Sequence, residues 1–200
     1  MISAEIVLDS VSPQGHRLTT FKLRYPKFIH GELMTHRRFS RNASSSRAVP
    51  VSKNISEASN VDLMAMPEFW GAEQRGMASG EELDQGRMLR ARAMWIRAAQ
   101  DATISATNLK NLGVHKSIVN RILEPFLHIN VLVTATEYMN FFGLRLAKDA
   151  QPEIRVLAER MWAAYGDSEP LLLQPGVWHT PLILGEEHQD HAEGDWPLER

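Results

Sequence analysis

The chain has 200 residues, enough for one compact domain that buries roughly 70% of its unfolded surface. Its 44% hydrophobic content is ordinary for a globular protein, no apolar run approaches the ~18 residues that cross a bilayer, and Met1-Ile2-Ser3-Ala4-Glu5 lacks a signal-peptide pattern, so the expectation is a cytoplasmic protein with no membrane contact. A net charge of −2 argues against a nucleic-acid polymer as partner, and the absence of cysteine excludes disulfides, cysteine–zinc sites and thiolate nucleophiles.

In chain order, Ile2, Ala4, Ile6 and Leu8 alternate with Ser3, Glu5 and Asp9, the period-two mark of a half-buried strand. Ser12-Pro13-Gln14-Gly15 reads as a turn, and Phe21, Leu23 and Tyr25 as the partner strand of a hairpin. Phe28, Leu33 and Met34 predict a short helix ending near His36 or Arg37, followed by a polar loop over 40–47. Residues 55–80 carry Pro67, Gly71, Gly76 and Gly80 and predict no long regular element. A long helix is expected from Glu81 to about Leu112, with Ala91, Trp95, Ala98, Ala102, Ala106 and Leu109 as its apolar stripe and Gly113 as its stop.

A helix over Lys116–Leu123, a buried strand over 129–135 and a helix over Tyr138–Leu146 follow. The last helix starts at Pro152 and sets Ile154, Leu157, Ala158, Met161, Trp162 and Tyr165 on one face. His16, His30, His115, His128 and His179 show no metal-ligand spacing and read as structural; no metal is expected. Trp178-His179 reads as a packed C-terminal loop. The expected fold is one α+β domain over 1–185, with an acidic tail over 186–200 that is open to disorder.

Charge is unevenly spread along this frame. Arg37, Arg38, Arg41, Arg47 and Lys53 fall between Thr35 and Asn54 with no acidic residue among them. A basic segment in a neutral chain suggests a small anionic ligand. Within it, His36-Arg37-Arg38-Phe39-Ser40-Arg41-Asn42-Ala43-Ser44-Ser45-Ser46-Arg47 offers guanidinium forks, hydroxyls and backbone N–H groups suited to phosphate. On composition alone, a solvated basic loop explains it equally well.

Three blocks in order resemble the flavin-dependent thymidylate synthases. His36-Arg37, Asn42, Ser45 and Arg47 resemble that family's signature, Arg-His-Arg, seven residues, then Ser and an Arg two further on. Arg121-Ile122-Leu123-Glu124-Pro125 is similar to its Arg-x-x-Leu-Pro stretch. Asn140-Phe141-Phe142-Gly143-Leu144-Arg145, with Ala150-Gln151-Pro152-Glu153-Ile154, resembles its Asn-Phe-x-x-Leu-Arg and Ala-Gln-x-Glu-Ile run. The resemblance implies a mixed or antiparallel sheet flanked by a bundle of long helices, in a homotetramer whose active sites are shared.

It also implies FAD as cofactor, NADPH and methylenetetrahydrofolate as co-substrates, and conversion of deoxyuridylate to thymidylate. By the same resemblance Thr35, His36, Arg37, Arg38, Asn42, Asn140, Leu144 and Asp149 fall at the flavin. Glu32, Ser45, Ser46, Arg47, Arg121 and Arg145 fall at the nucleotide, with Arg145 and Ser45 in the catalytic positions. The chemistry is consistent: without cysteine, thiolate addition to the pyrimidine ring is closed, and a reduced flavin can deliver hydride instead.

The chain departs from the family at Thr35, where an Arg is usual, at Ala43 for Glu, at Ala48 for Tyr and at Glu32 for a frequent Gln. A carboxylate at position 32 can accept from the exocyclic amine of cytosine, which leaves methylation or hydroxymethylation of deoxycytidylate open beside that of deoxyuridylate. A flavin or nucleotide binder without catalysis stays open as well. Outside the resemblance, Arg145 and Asp149 read as a helical ion pair and Arg121 as a C-terminal helix cap.

Overall fold

The computed structural model describes residues 1–76 and 78–182; most of the expected acidic tail lies outside them. Its frame is a five-stranded sheet in the order β3-β4-β2-β1-β5. Strands β1 (Ser3–Val11) and β2 (Arg17–Pro26) form the expected hairpin, with Gly15 in the left-handed region at φ 84° closing its turn. Strand β4 (His128–Ala135) pairs antiparallel with β2, and β3 (Ser40–Ala43) lies on the outer edge of β4. A two-residue strand β5 (Leu171–Leu172) runs parallel to β1, so the sheet is mixed.

Alternation decides which face is covered. Phe21, Leu23 and Tyr25 on β2, with Val131 and Val133 on β4, form the buried face. Helices α1 (His30–Met34), α5 (Met139–Arg145) and α6 (Pro152–Asp167) bring Leu33, Phe141, Phe142, Ile154, Leu157 and Met161 into that core. A second core joins α2 (Val51–Ser59), α3 (Gln85–Asn111) and α4 (Lys116–Leu123) through Ala58, Ala99, Ala106, Val119 and Leu123. The α+β class, the flanking helices and the bounds of α4 are as the sequence predicts. Among the described residues no helix is long and apolar enough to cross a membrane.

Three readings are corrected. Residues 40–43 are an edge strand and not loop, because β3 is held by backbone pairing to β4, which places no demand on side-chain hydrophobicity. Helix α3 begins at Gln85, four residues later than expected, because the Asp84 carboxylate caps it by accepting from the Arg87 N–H at 2.9 Å. Its seam also runs along Trp95, Ala99, Thr103 and Ala106, leaving Ala98 exposed. The ambiguous stretch supplies the end of α2 and then turns, and a bridge between Gly71 and Glu82 closes it.

Histidines serve as local ties. His30 bonds the Tyr25 hydroxyl at 2.8 Å, His115 caps α4, and His128 meets Glu57 at 3.0 Å. His179 bridges Ser10 Oγ at 2.7 Å and Thr20 Oγ1 at 2.9 Å, while its neighbour Trp178 stays exposed. Of the Trp178-His179 pair, the histidine is the residue that packs.

A buried ion pair fastens α6 to the hairpin. Asp9 accepts from Arg17 Nη2 at 2.6 Å, Thr19 Oγ1 at 2.8 Å and Ser168 Oγ at 2.7 Å, and Arg17 lies 3.6 Å over the Tyr165 ring. Burial works to raise the Asp9 pKa, but the hydrogen bonds from Arg17, Ser168 and Thr19 outweigh it and hold the carboxyl below its ordinary range. Asp9→Ala leaves a guanidinium short of its partner and is expected to cost about 2–4 kcal/mol. Urea denaturation measures it; a loss below ~1 kcal/mol would remove this ion pair from the account.

Candidate active site

A cleft of about 200 Å³ opens between the turn that leaves α1 and helix α5, lined by Thr35, His36, Arg37, Arg38, Phe39, Glu137, Asn140, Phe141, Leu144 and Arg145. Aromatic packing builds its floor. Phe39 and Phe141 lie 5.3 Å apart, and the His36 ring stands edge-on to Phe141 at 4.9 Å and stacks on Phe39 at 5.8 Å. Because both phenylalanines also join the sheet core, the 35–39 turn and α5 are held in fixed relation.

His36 and Arg145 meet across this floor. Arg145 Nε donates to His36 Nε2 at 2.9 Å and Arg145 Nη2 to Thr35 Oγ1 at 3.2 Å. The His36 ring is only 8% exposed. Burial, then the Arg145 and Arg41 charges, push its pKa down to about 4. The ring is therefore neutral at pH 7, and since Nε2 accepts, its one proton sits on Nδ1. Thr35 in turn donates to the Glu32 carbonyl at 2.7 Å, so it braces Arg145. The guanidinium is fixed by two contacts, and among the described residues its Nη1 makes no hydrogen bond.

The rim is charged. Arg37 and Arg38 are exposed, and Arg38 lies 3.7 Å from Glu137. Glu137 caps α5 by accepting from the Met139 N–H and, at 3.2 Å, from the Asn140 N–H. Sequence reading did not single out Glu137, although an acidic residue just ahead of a predicted helix was the available signal. Arg145 does not form the helical pair with Asp149: α5 ends at Arg145, and its side chain turns to His36 instead.

The remaining expected residues fall elsewhere. Ser45 and Arg47 are exposed beyond the far end of β3, separated from the cleft by roughly 13 Å of extended chain, and Arg121 is exposed on α4. Ser46 is turned inward, where its hydroxyl donates to Glu124 at 2.6 Å. Arg121 lies 3.8 Å from the same carboxylate. Asn42, Asp149 and Glu32 do not line the cleft. The structure thus brings together seven of the expected residues, Thr35, His36, Arg37, Arg38, Asn140, Leu144 and Arg145, while Ser46, between Ser45 and Arg47, shares the Glu124 carboxylate with Arg121 outside the cleft.

The family model described as thymidylate synthase complementing protein matches residues 6–170, which include all of these residues. The chain belongs to this family. The fold agrees. The crystal structure of a UMP/dUMP methylase PolB from Streptomyces cacaoi bound with 5-Br dUMP is similar at a TM-score of 0.65 and 20% identity, covering 86% of this chain and 91% of that one. The same methylase bound with 5-Br UMP gives 0.64 and 21%, over 86% and 90%. None of the curated proteins matches. At that identity the likeness carries the fold and no residue role.

The neutral His36 has a consequence for stability. The unfolded ring takes up a proton near its ordinary value of 6.5 and the folded ring only near 4, so between these values the unfolded state binds more protons and stability rises with pH. The thermal midpoint is expected to fall as pH is lowered from 6.5 towards 4, and His36→Gln to flatten part of that slope. An equal slope in both proteins contradicts a neutral buried ring.

Proposed function

We propose that this chain catalyses flavin-dependent methylation at C5 of a pyrimidine deoxynucleotide, converting deoxyuridylate to thymidylate with methylenetetrahydrofolate and NADPH. Family membership and the UMP/dUMP methylase of similar fold support a pyrimidine nucleotide. The observation that carries the reading is Arg145, fixed by His36 and Thr35 at the floor of the cleft with Nη1 left to donate. A guanidinium held by a neutral acceptor keeps its full charge for a ring carbonyl on which negative charge develops as C5 gains electron density. Since the chain has no cysteine, that density does not come from a thiolate.

The residues fit a flavin in kind. Phe39, Phe141 and Leu144 offer apolar surface to a flat ring, Asn140 an amide for its polar edge, and Arg37 and Arg38 exposed forks for a diphosphate. When bound, reduced FAD supplies the hydride. The fit in size is partial, because ligand clefts typically enclose about 300–1,000 Å³ and this one holds about 200 Å³. A second protomer completes it in our reading. Its Ser45, Arg47 and Arg121 bind the nucleotide phosphate beside the first protomer's Arg145, which accounts for two half-sites on one chain and is compatible with the homotetramer that the family resemblance implies.

Glu32 favours a second base. Its side chain is partly buried, and its carboxylate accepts no hydrogen bond among the described residues, leaving it able to accept from the amine of deoxycytidylate. Mass spectrometry after incubation with FAD, NADPH and methylenetetrahydrofolate, offering deoxyuridylate and deoxycytidylate in parallel, decides between them. A methyl product from deoxyuridylate is expected, reduced about 10²–10³-fold in Arg145→Ala. Product from deoxycytidylate alone would change the base, with a shift towards deoxyuridylate in Glu32→Gln as the sign that this carboxylate reads it, and flavin binding without any product would replace the enzyme by a binding protein.

A further inference from the structure

Three segments distant in sequence converge behind the phosphate end of the proposed site. Lys27 opens the 3-10 turn after β2, Ser46 lies in the turn after β3, and Glu124 opens the 3-10 turn after α4. Lys27 Nζ donates to Ser46 Oγ at 2.6 Å and to Glu124 Oε1 at 2.6 Å, and Ser46 Oγ donates to the same oxygen at 2.6 Å. The Lys27 and Glu124 side chains are 18% and 22% exposed, so their attraction is far less screened than at an open surface. The buried Asn120 amide holds the backbone alongside, donating to the Ser46 carbonyl at 2.7 Å and the Val49 carbonyl at 3.0 Å.

We propose that Lys27 and Glu124 are a positioning pair for nucleotide phosphate: by drawing Ser46 inward they face Ser45 and Arg47 outward, and by committing Glu124 to Lys27 they leave Arg121 available to the anion. This rests on the reading of Ser45, Arg47 and Arg121 as the phosphate end. The Ala48 N–H donates to the Ser45 carbonyl at 2.9 Å and closes a turn with Ser46 inside it, so anchoring Ser46 fixes the turn that carries Ser45 and Arg47. The charges follow the same logic. Glu124 stands between two cations, 2.6 Å from Lys27 and 3.8 Å from Arg121, and binds the nearer. Without Lys27 it is free to claim Arg121 and set a negative charge beside the phosphate.

The test compares deoxyuridylate with deoxyuridine, which lacks the phosphate, by titration calorimetry of the flavin-loaded full chain. Lys27→Met is expected to weaken deoxyuridylate binding about tenfold and deoxyuridine binding little. It should also speed hydrogen exchange of the Arg47 and Ala48 amides. In Lys27→Met/Glu124→Gln the competing charge is gone while the amide oxygen can still accept from Ser46, so affinity should return to within about threefold of the native value. A double variant as weak as the single one overturns the proposal, and so does equal weakening of deoxyuridylate and deoxyuridine in Lys27→Met, which is what a merely structural pair would give. If the native chain binds no deoxyuridylate, the functional reading fails. Exchange then still decides the positioning role: faster exchange in Lys27→Met upholds it, and unchanged exchange overturns it.

Discussion

An imidazole that burial keeps uncharged allows a guanidinium to be fixed 2.9 Å away in the floor of the cleft. A protonated His36 would set two cations against each other there, and the 35–39 turn and α5 would have to part. The neutrality is a product of the fold. Phe39, Phe141 and Tyr138 enclose the ring side of the turn, and the same aromatics belong to the core that β2 and β4 build. Sheet, turn and helix therefore meet at one hydrogen bond, and the orientation of Arg145 depends on all three.

The second constraint is geometric. Strand β3 runs between the cleft and the turn that carries Ser45 and Arg47, and a flat edge strand cannot fold back to join its two ends. Each half is also incomplete chemically. The cleft has apolar surface, an amide and guanidinium groups, whereas the loop has hydroxyls and cations suited to phosphate. Two copies related by symmetry would supply both halves twice, the usual consequence of a self-complementary interface.

Much of this was legible in the sequence because periodicity reports burial. Helix α4, strand β4 and the face of α6 carrying Ile154, Leu157 and Met161 were readable for that reason. The readings that failed concern interactions without a period. Strand β3 is held by backbone pairing, the α3 seam falls on Ala99 where Ala98 is equally apolar, and Asp84 outcompetes Glu81 as the start of that helix through one cap. At the site, local motifs identified the lining residues from Thr35 to Arg38 and from Asn140 to Arg145. The turned-in Ser46 and its partners Lys27 and Glu124 were not readable, because nothing local joins positions 27, 46 and 124.

The central claim is that one working site draws its two halves from different copies of the chain, and mixing defective subunits tests it most directly. Arg145→Ala and Arg47→Ala proteins, each inactive alone, would be unfolded together, refolded and assayed for thymidylate formation. Shared sites predict recovery of about a quarter of native activity, because half of the randomly formed pairs carry one intact site of two. A mixture as inactive as its parents would contradict the account, since it would place both halves of the site within a single chain.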